Sequence, residues 1–128
     1  MNLIKVTLKN IAQRESVRIV EFSFDGERLY MMALELPQHL QIGQSVTLGI
    51  KPTHIALAKD FNISTSFDNQ LKASVVSVDV GELLVNVKAA VGGVILEAVI
   101  TNKAYLRMNF QVGDTIVMFL PSSELSII

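Results

Sequence analysis

An all-β chain, arranged as two tandem small barrels of five strands with one short helix each, is the fold class this sequence predicts. Three observations predict it. Apolar and polar residues alternate over short runs, turn dipeptides separate those runs, and signposts of the first half recur in the second.

The opening stretch Leu3 to Lys9 sets Ile4, Val6 and Leu8 on one face against Lys5, Thr7 and Lys9 on the other, the period of a half-buried strand. A second alternating run, Val17 to Phe24, meets Leu29 to Leu34 across Asp25-Gly26, a dipeptide preferred in tight hairpins. Pro37 and Gly43 bracket a short segment, and Val46, Leu48 and Ile50 then alternate until Pro52 interrupts the strand. The first unit closes near Leu57. Between Lys59 and Asp68 the composition shifts to Asn, Ser, Thr and Asp, which suits a polar linker.

After the linker the program restarts. Leu71, Ala73 and Val75 alternate, and so do Leu83, Val85 and Val87. Gly92-Gly93 marks a hairpin into the strand carrying Val94, Leu96, Ala98 and Ile100. Asn102 to Met108 is the one helix predicted from the pattern, with Asn102 as its candidate cap, and Gly113-Asp114 leads into the strand Thr115 to Leu120. Gln41-Ile42-Gly43-Gln44-Ser45-Val46 resembles Gln111-Val112-Gly113-Asp114-Thr115-Ile116, and the same offset sets Ile50-Lys51-Pro52-Thr53-His54-Ile55 against Leu120-Pro121-Ser122-Ser123-Glu124-Leu125. Internal duplication accounts for this better than coincidence, and it divides the chain into modules 1–60 and 61–128. Five short strands with one short helix per module is the pattern of an OB-like barrel.

Composition narrows the function classes. Half of the 128 residues are hydrophobic and only 18% are charged. A mean hydropathy of +0.43 is high for a soluble monomer, so a homo-oligomer, dimer or higher, is expected. No apolar run approaches the length that spans a bilayer, and Met1-Asn2-Leu3-Ile4-Lys5 lacks the layout of a secretory signal, which points to the cytoplasm with no membrane insertion. The chain has no cysteine, so disulfides and thiolate metal sites are excluded. A net charge of −1, two Tyr and no Trp argue against direct nucleic-acid binding, which needs cationic grooves and stacking aromatics.

Nothing in the sequence pairs a nucleophile with a base. Ser122-Ser123 has no histidine in a recognisable arrangement, Gly92-Gly93 lacks the strand-to-helix context of a phosphate loop, and no organic cofactor fingerprint occurs. The two histidines, His39 and His54, have no carboxylate cluster beside them and are expected to be surface or packing residues; Met31-Met32 is expected in the core or an interface. The chain is therefore expected to bind rather than catalyse.

Three segments carry a family resemblance. They are Asp68-Asn69-Gln70-Leu71, Ala98-Val99-Ile100-Thr101-Asn102 and Val46-Thr47-Leu48-Gly49-Ile50-Lys51-Pro52-Thr53. In order and spacing they resemble the molybdate-binding TOBE or Mop modules of molbindins, of molybdate-responsive transcription regulators and of ABC-transporter ATPases. The resemblance implies molybdate or tungstate bound at interfaces between modules or subunits, in a storage protein, or in a sensing portion attached to a DNA-binding or ATPase domain of a longer chain. A tetrahedral dianion offers only acceptors, so its site must supply donors and no carboxylate aimed at it. The resemblance gives the donors as Lys51 and Thr53 in the first module and Ser66, Asn69, Thr101 and Ser123 in the second.

Two positions depart from the family pattern. Asp68 stands where a cationic donor is frequent, and Pro121 stands where Lys51 stands in the first copy. They imply unequal sites. They also keep open an alternative, a structural oligomerisation module whose ligand site has decayed.

Overall fold

Alternation along Asn2–Arg14 buries Asn2, Ile4, Val6 and Leu8 on one side, and this segment is strand β1 in the computed structural model, which describes residues 1–128. β2 (Val17–Phe24) and β3 (Glu27–Ala33) form an antiparallel hairpin around Asp25 and Gly26, whose φ angles of 48° and 81° are the left-handed values that a two-residue hairpin turn requires. β4 (Ser45–Ile50), a 3-10 turn at Pro52–His54 and the short β5 (Ala56–Ala58) complete the first half. The second half supplies β6 (Gln70–Val80), β7 (Leu84–Val91), β8 (Val94–Thr101), helix α1 (Asn102–Met108), β9 (Thr115–Phe119) and β10 (Ser126–Ile127).

The strands make two curled five-stranded antiparallel sheets, ordered β10-β4-β1-β2-β3 and β5-β9-β6-β7-β8. Across β1–β3 and β6–β8 the registers repeat at a constant offset. Thr7 opposite Ser23 in the first sheet is answered by Ser74 opposite Ala90 in the second, and each long strand carries a bulge at the equivalent place, between Leu8 and Asn10 and between Val75 and Ser77. Loop bonds repeat as well. Leu8 N–H donates to Gln44 C=O and Gly43 N–H to Leu8 C=O, as Val75 N–H donates to Asp114 C=O and Gly113 N–H to Val75 C=O.

Each sheet takes its closing strand from the other half of the chain. β5 lies beside β9, with Ala56 opposite Phe119, and β10 lies beside β4, with Ser126 opposite Gly49. This reciprocal pattern, in which one half does to the other what is done to it, is that of an approximate two-fold axis. Inward residues of both sheets merge into one hydrophobic cluster that includes Phe22, Leu48, Leu71, Val87, Ile116 and Leu120.

Several local expectations change. α1 begins at Asn102, but its cap is Thr101, whose Oγ1 accepts from Ala104 N–H at 3.0 Å; Asn109 closes it in the left-handed region at φ 51°. The first half has no α-helix at the matching place. Leu34 occupies the position of Thr101 there and cannot accept from the backbone, and the connection to β4 is shorter and contains Pro37. β1 and β6 run well past the predicted ends, because the bulge shifts the alternation and hides the rest of each strand from a period-two reading. Leu83, expected inward in a strand, precedes β7 and is exposed.

Candidate functional site

β4 and β9 are equivalent strands, and each runs into a tight turn that ends its alternation. At the end of β4, His54 N–H donates to Lys51 C=O at 3.0 Å; at the end of β9, Glu124 N–H donates to Pro121 C=O at 3.0 Å. The approximate two-fold brings the two turns face to face, with His54 Nδ1 3.2 Å from Glu124 Oε2. Beside this pair lies a shallow pocket of about 280 Å³, lined by Met1, Lys51, His54, Ser123, Glu124 and Ser126, with Gly49, Ile50 and Leu125 behind them. At roughly 30 Å³ per water molecule it is roomy enough for a small tetrahedral anion with part of its hydration shell.

Lys51 and Ser123, donors named from opposite ends of the sequence, are thus brought to one place. Lys51 is exposed and makes no ion pair, which leaves its ammonium free for an anion. Thr53 is exposed in the middle of the same 3-10 turn but does not line the pocket. Ser66 is exposed on the segment between β5 and β6, and Thr101 is exposed at the head of α1, where its oxygen already accepts the capping bond. Neither reaches this pocket.

Asn69 is different in kind. It is fully buried, its Oδ1 accepts from Tyr30 N–H at 2.7 Å, and its Nδ2 donates to Tyr30 C=O and to Leu120 C=O, both at 2.8 Å. Both amide hydrogens are engaged, so this side chain has no donor left for an anion. It fastens edge strand β3 of the first sheet to the start of β6 in the second. Asn2 makes the mirror-image clasp on edge strand β8: Nδ2 donates to Glu97 C=O at 2.9 Å and Oδ1 accepts from Glu97 N–H at 2.8 Å. These amides occupy edge backbone groups that would otherwise stand open to another strand.

Glu124 and Ser126 on this lining were not singled out from sequence, and His54 was read only as a surface or packing residue. The signal that could have found the His54–Glu124 pair is the duplication itself. Residues that lie close to a two-fold axis meet their own counterparts, and His54 aligns with Glu124 under the offset that relates Gly43 to Gly113. Around the axis at the other hairpins, the Asp25 carboxylate accepts from Gly93 N–H at 3.1 Å.

The chain resembles known proteins in two respects. Residues 65–127 match the family model of the TOBE domain. A solved structure of the cytoplasmic molybdate-binding protein ModG, in a crystal form with molybdate bound, superposes with a TM-score of 0.92 over 98% of this chain and 94% of that one, at 20% sequence identity. At that identity the likeness establishes the fold. Curated proteins yield no match.

Proposed function

We propose, from the match of residues 65–127 to the TOBE domain, that this chain binds molybdate or tungstate as two tandem modules, 1–60 and 61–128, which exchange their closing strands. The observation that carries the reading is the convergence of Lys51 and Ser123, from the two halves, on one pocket beside the axis. An ammonium and hydroxyls are the donor set that a tetrahedral dianion requires, and charge-assisted bonds to it are about twice as strong as neutral ones. Thr53 lies in the turn that follows Lys51. Ser66 and Thr101, exposed and outside the pocket, would serve donor positions at an interface with a second copy.

An assembly of several copies fits the surface. Leu83, Leu106, Ile42 and Val112 are each more than half exposed, an apolar load that a homo-oligomer would cover. The role that follows is binding of the anion for storage or sensing within the cytoplasm, without chemical conversion, in keeping with the anion bound by the ModG protein of the same fold.

A second reading is favoured by Asn69 and Glu124. One predicted donor is engaged entirely in the fold, and a carboxylate lines the pocket. Both would suit a structural oligomerisation module with a degenerate site. Isothermal titration with molybdate, tungstate and sulfate separates the two. Binding of the larger anions, weakened about tenfold or more in Lys51→Ala by loss of a charge-assisted bond, supports the binding module. Absence of heat for all three anions, with the oligomer intact, supports the structural one.

A further inference from the structure

Glu124 poses a problem that the pocket itself solves. A carboxylate beside Lys51 cancels the charge that would draw a dianion, but this carboxylate is held 3.2 Å from His54 Nδ1, and both side chains remain partly exposed, so protons reach them freely. We infer that the His54–Glu124 pair is a proton-coupled gate on the Lys51 pocket, opening it to oxyanions when His54 is protonated and closing it when His54 is neutral. The inference rests on the oxyanion-binding reading of that pocket.

The charges facing the pocket are few enough to enumerate. Lys51 and Glu124 bring opposite charges to it. The Met1 amino group and His54 are the other titratable groups on the lining. β8, which packs on the 3-10 turn, carries only Glu97 as a charged residue, and its carboxylate is taken by the Asn86 side chain. A histidine changes charge between about pH 5 and 8. When His54 is protonated it neutralises Glu124 and leaves the Lys51 charge uncompensated, which favours an anion. When it is neutral, Glu124 offsets Lys51 and the pull on an anion is weaker. Linkage makes the effect reciprocal, so an arriving dianion draws a proton onto His54.

The test is molybdate titration calorimetry at about pH 6 and about pH 8 on the full chain, the histidine working range setting both values. It is run on the wild type, His54→Gln and Glu124→Gln. Wild-type affinity is expected to fall about five- to tenfold across that range, the scale of a partly exposed charge pair acting on a divalent ligand. His54→Gln is expected to bind with no pH slope, and Glu124→Gln to bind more tightly than the wild type at the higher pH. A slope retained in His54→Gln assigns the dependence to the Met1 amino group and overturns the gate, as does a Glu124→Gln affinity equal to wild type at high pH. Those results leave the pocket reading intact. Loss of binding in all three proteins at both pH values removes the pocket as a site, and the gate with it.

Discussion

Replacing Asn69 by alanine tests whether this residue holds the fold or the ligand. The substitution removes three hydrogen bonds at 2.7, 2.8 and 2.8 Å and strands two carbonyls and one amide of the backbone. Leaving a buried polar group without its partner costs about 1–3 kcal/mol. Leu120 is fully buried, so its carbonyl bears most of that penalty, whereas Tyr30 is half-buried and its two groups regain water in part. The net loss is then about 3–4 kcal/mol, a large share of the roughly 5–15 kcal/mol that holds a domain of this kind together.

Urea denaturation is the assay. The midpoint should fall at unchanged slope, and the thermal midpoint by roughly 10 °C, given a few degrees per kcal/mol for a chain of this size. Asn2→Ala, which breaks two bonds at the matching clasp, should lose less, about 2 kcal/mol. A change below about 1 kcal/mol for Asn69→Ala, accompanied by weakened molybdate binding, would refute the structural assignment and restore Asn69 to the ligand set.

Further expectations follow from other contacts. Gly92→Ala drives a Cβ into the Asp25 carboxylate at a residue with φ +57°, so it should cost about 2 kcal/mol or more; Asp25→Gly in the same chain should return much of that, a coupling that a double-mutant cycle in urea would read directly. Thr101→Ala removes the cap of α1 and should cost about 1 kcal/mol by the same assay, with Thr101→Ser close to neutral. Arg28→Ala breaks the Arg28–Glu21 pair at 3.2 Å, but both partners are substantially exposed, and the change in stability should stay within about 0.5 kcal/mol at ordinary salt.

What was legible in the sequence was whatever depends on local alternation. The inward faces of β1, β2, β6 and β8 and the hairpin at Asp25-Gly26 follow from spacing alone, and the recurrence of Gln41–Val46 in Gln111–Ile116 announced that the strand pattern would repeat. What depends on long-range partners was not legible. Asn69 carries a family motif, and nothing local reveals that Tyr30 and Leu120 engage its amide; Asn2 makes the same clasp in the first half, and nothing local reveals that Glu97 is its partner. β5 and β10 are too short for a period to show, and their pairing is with the opposite half. A helix was expected in each half because the duplication was carried over whole, although Leu34 supplies no cap where Thr101 does. His54 looked isolated because its carboxylate partner lies far away along the chain.

The exchange of closing strands also fixes an order of events during synthesis. Because β4 acquires its outer neighbour only when Ser126 and Ile127 arrive, the sheet begun by β1 is completed only after β6 to β9 of the other sheet have been made. Until then β4 presents an unpaired edge, and two nascent chains on one message could satisfy each other's edges as readily as their own. A shortened chain ending before Ser126 would keep that open edge permanently, so its first failure should be association with its neighbours, with unfolding only afterwards.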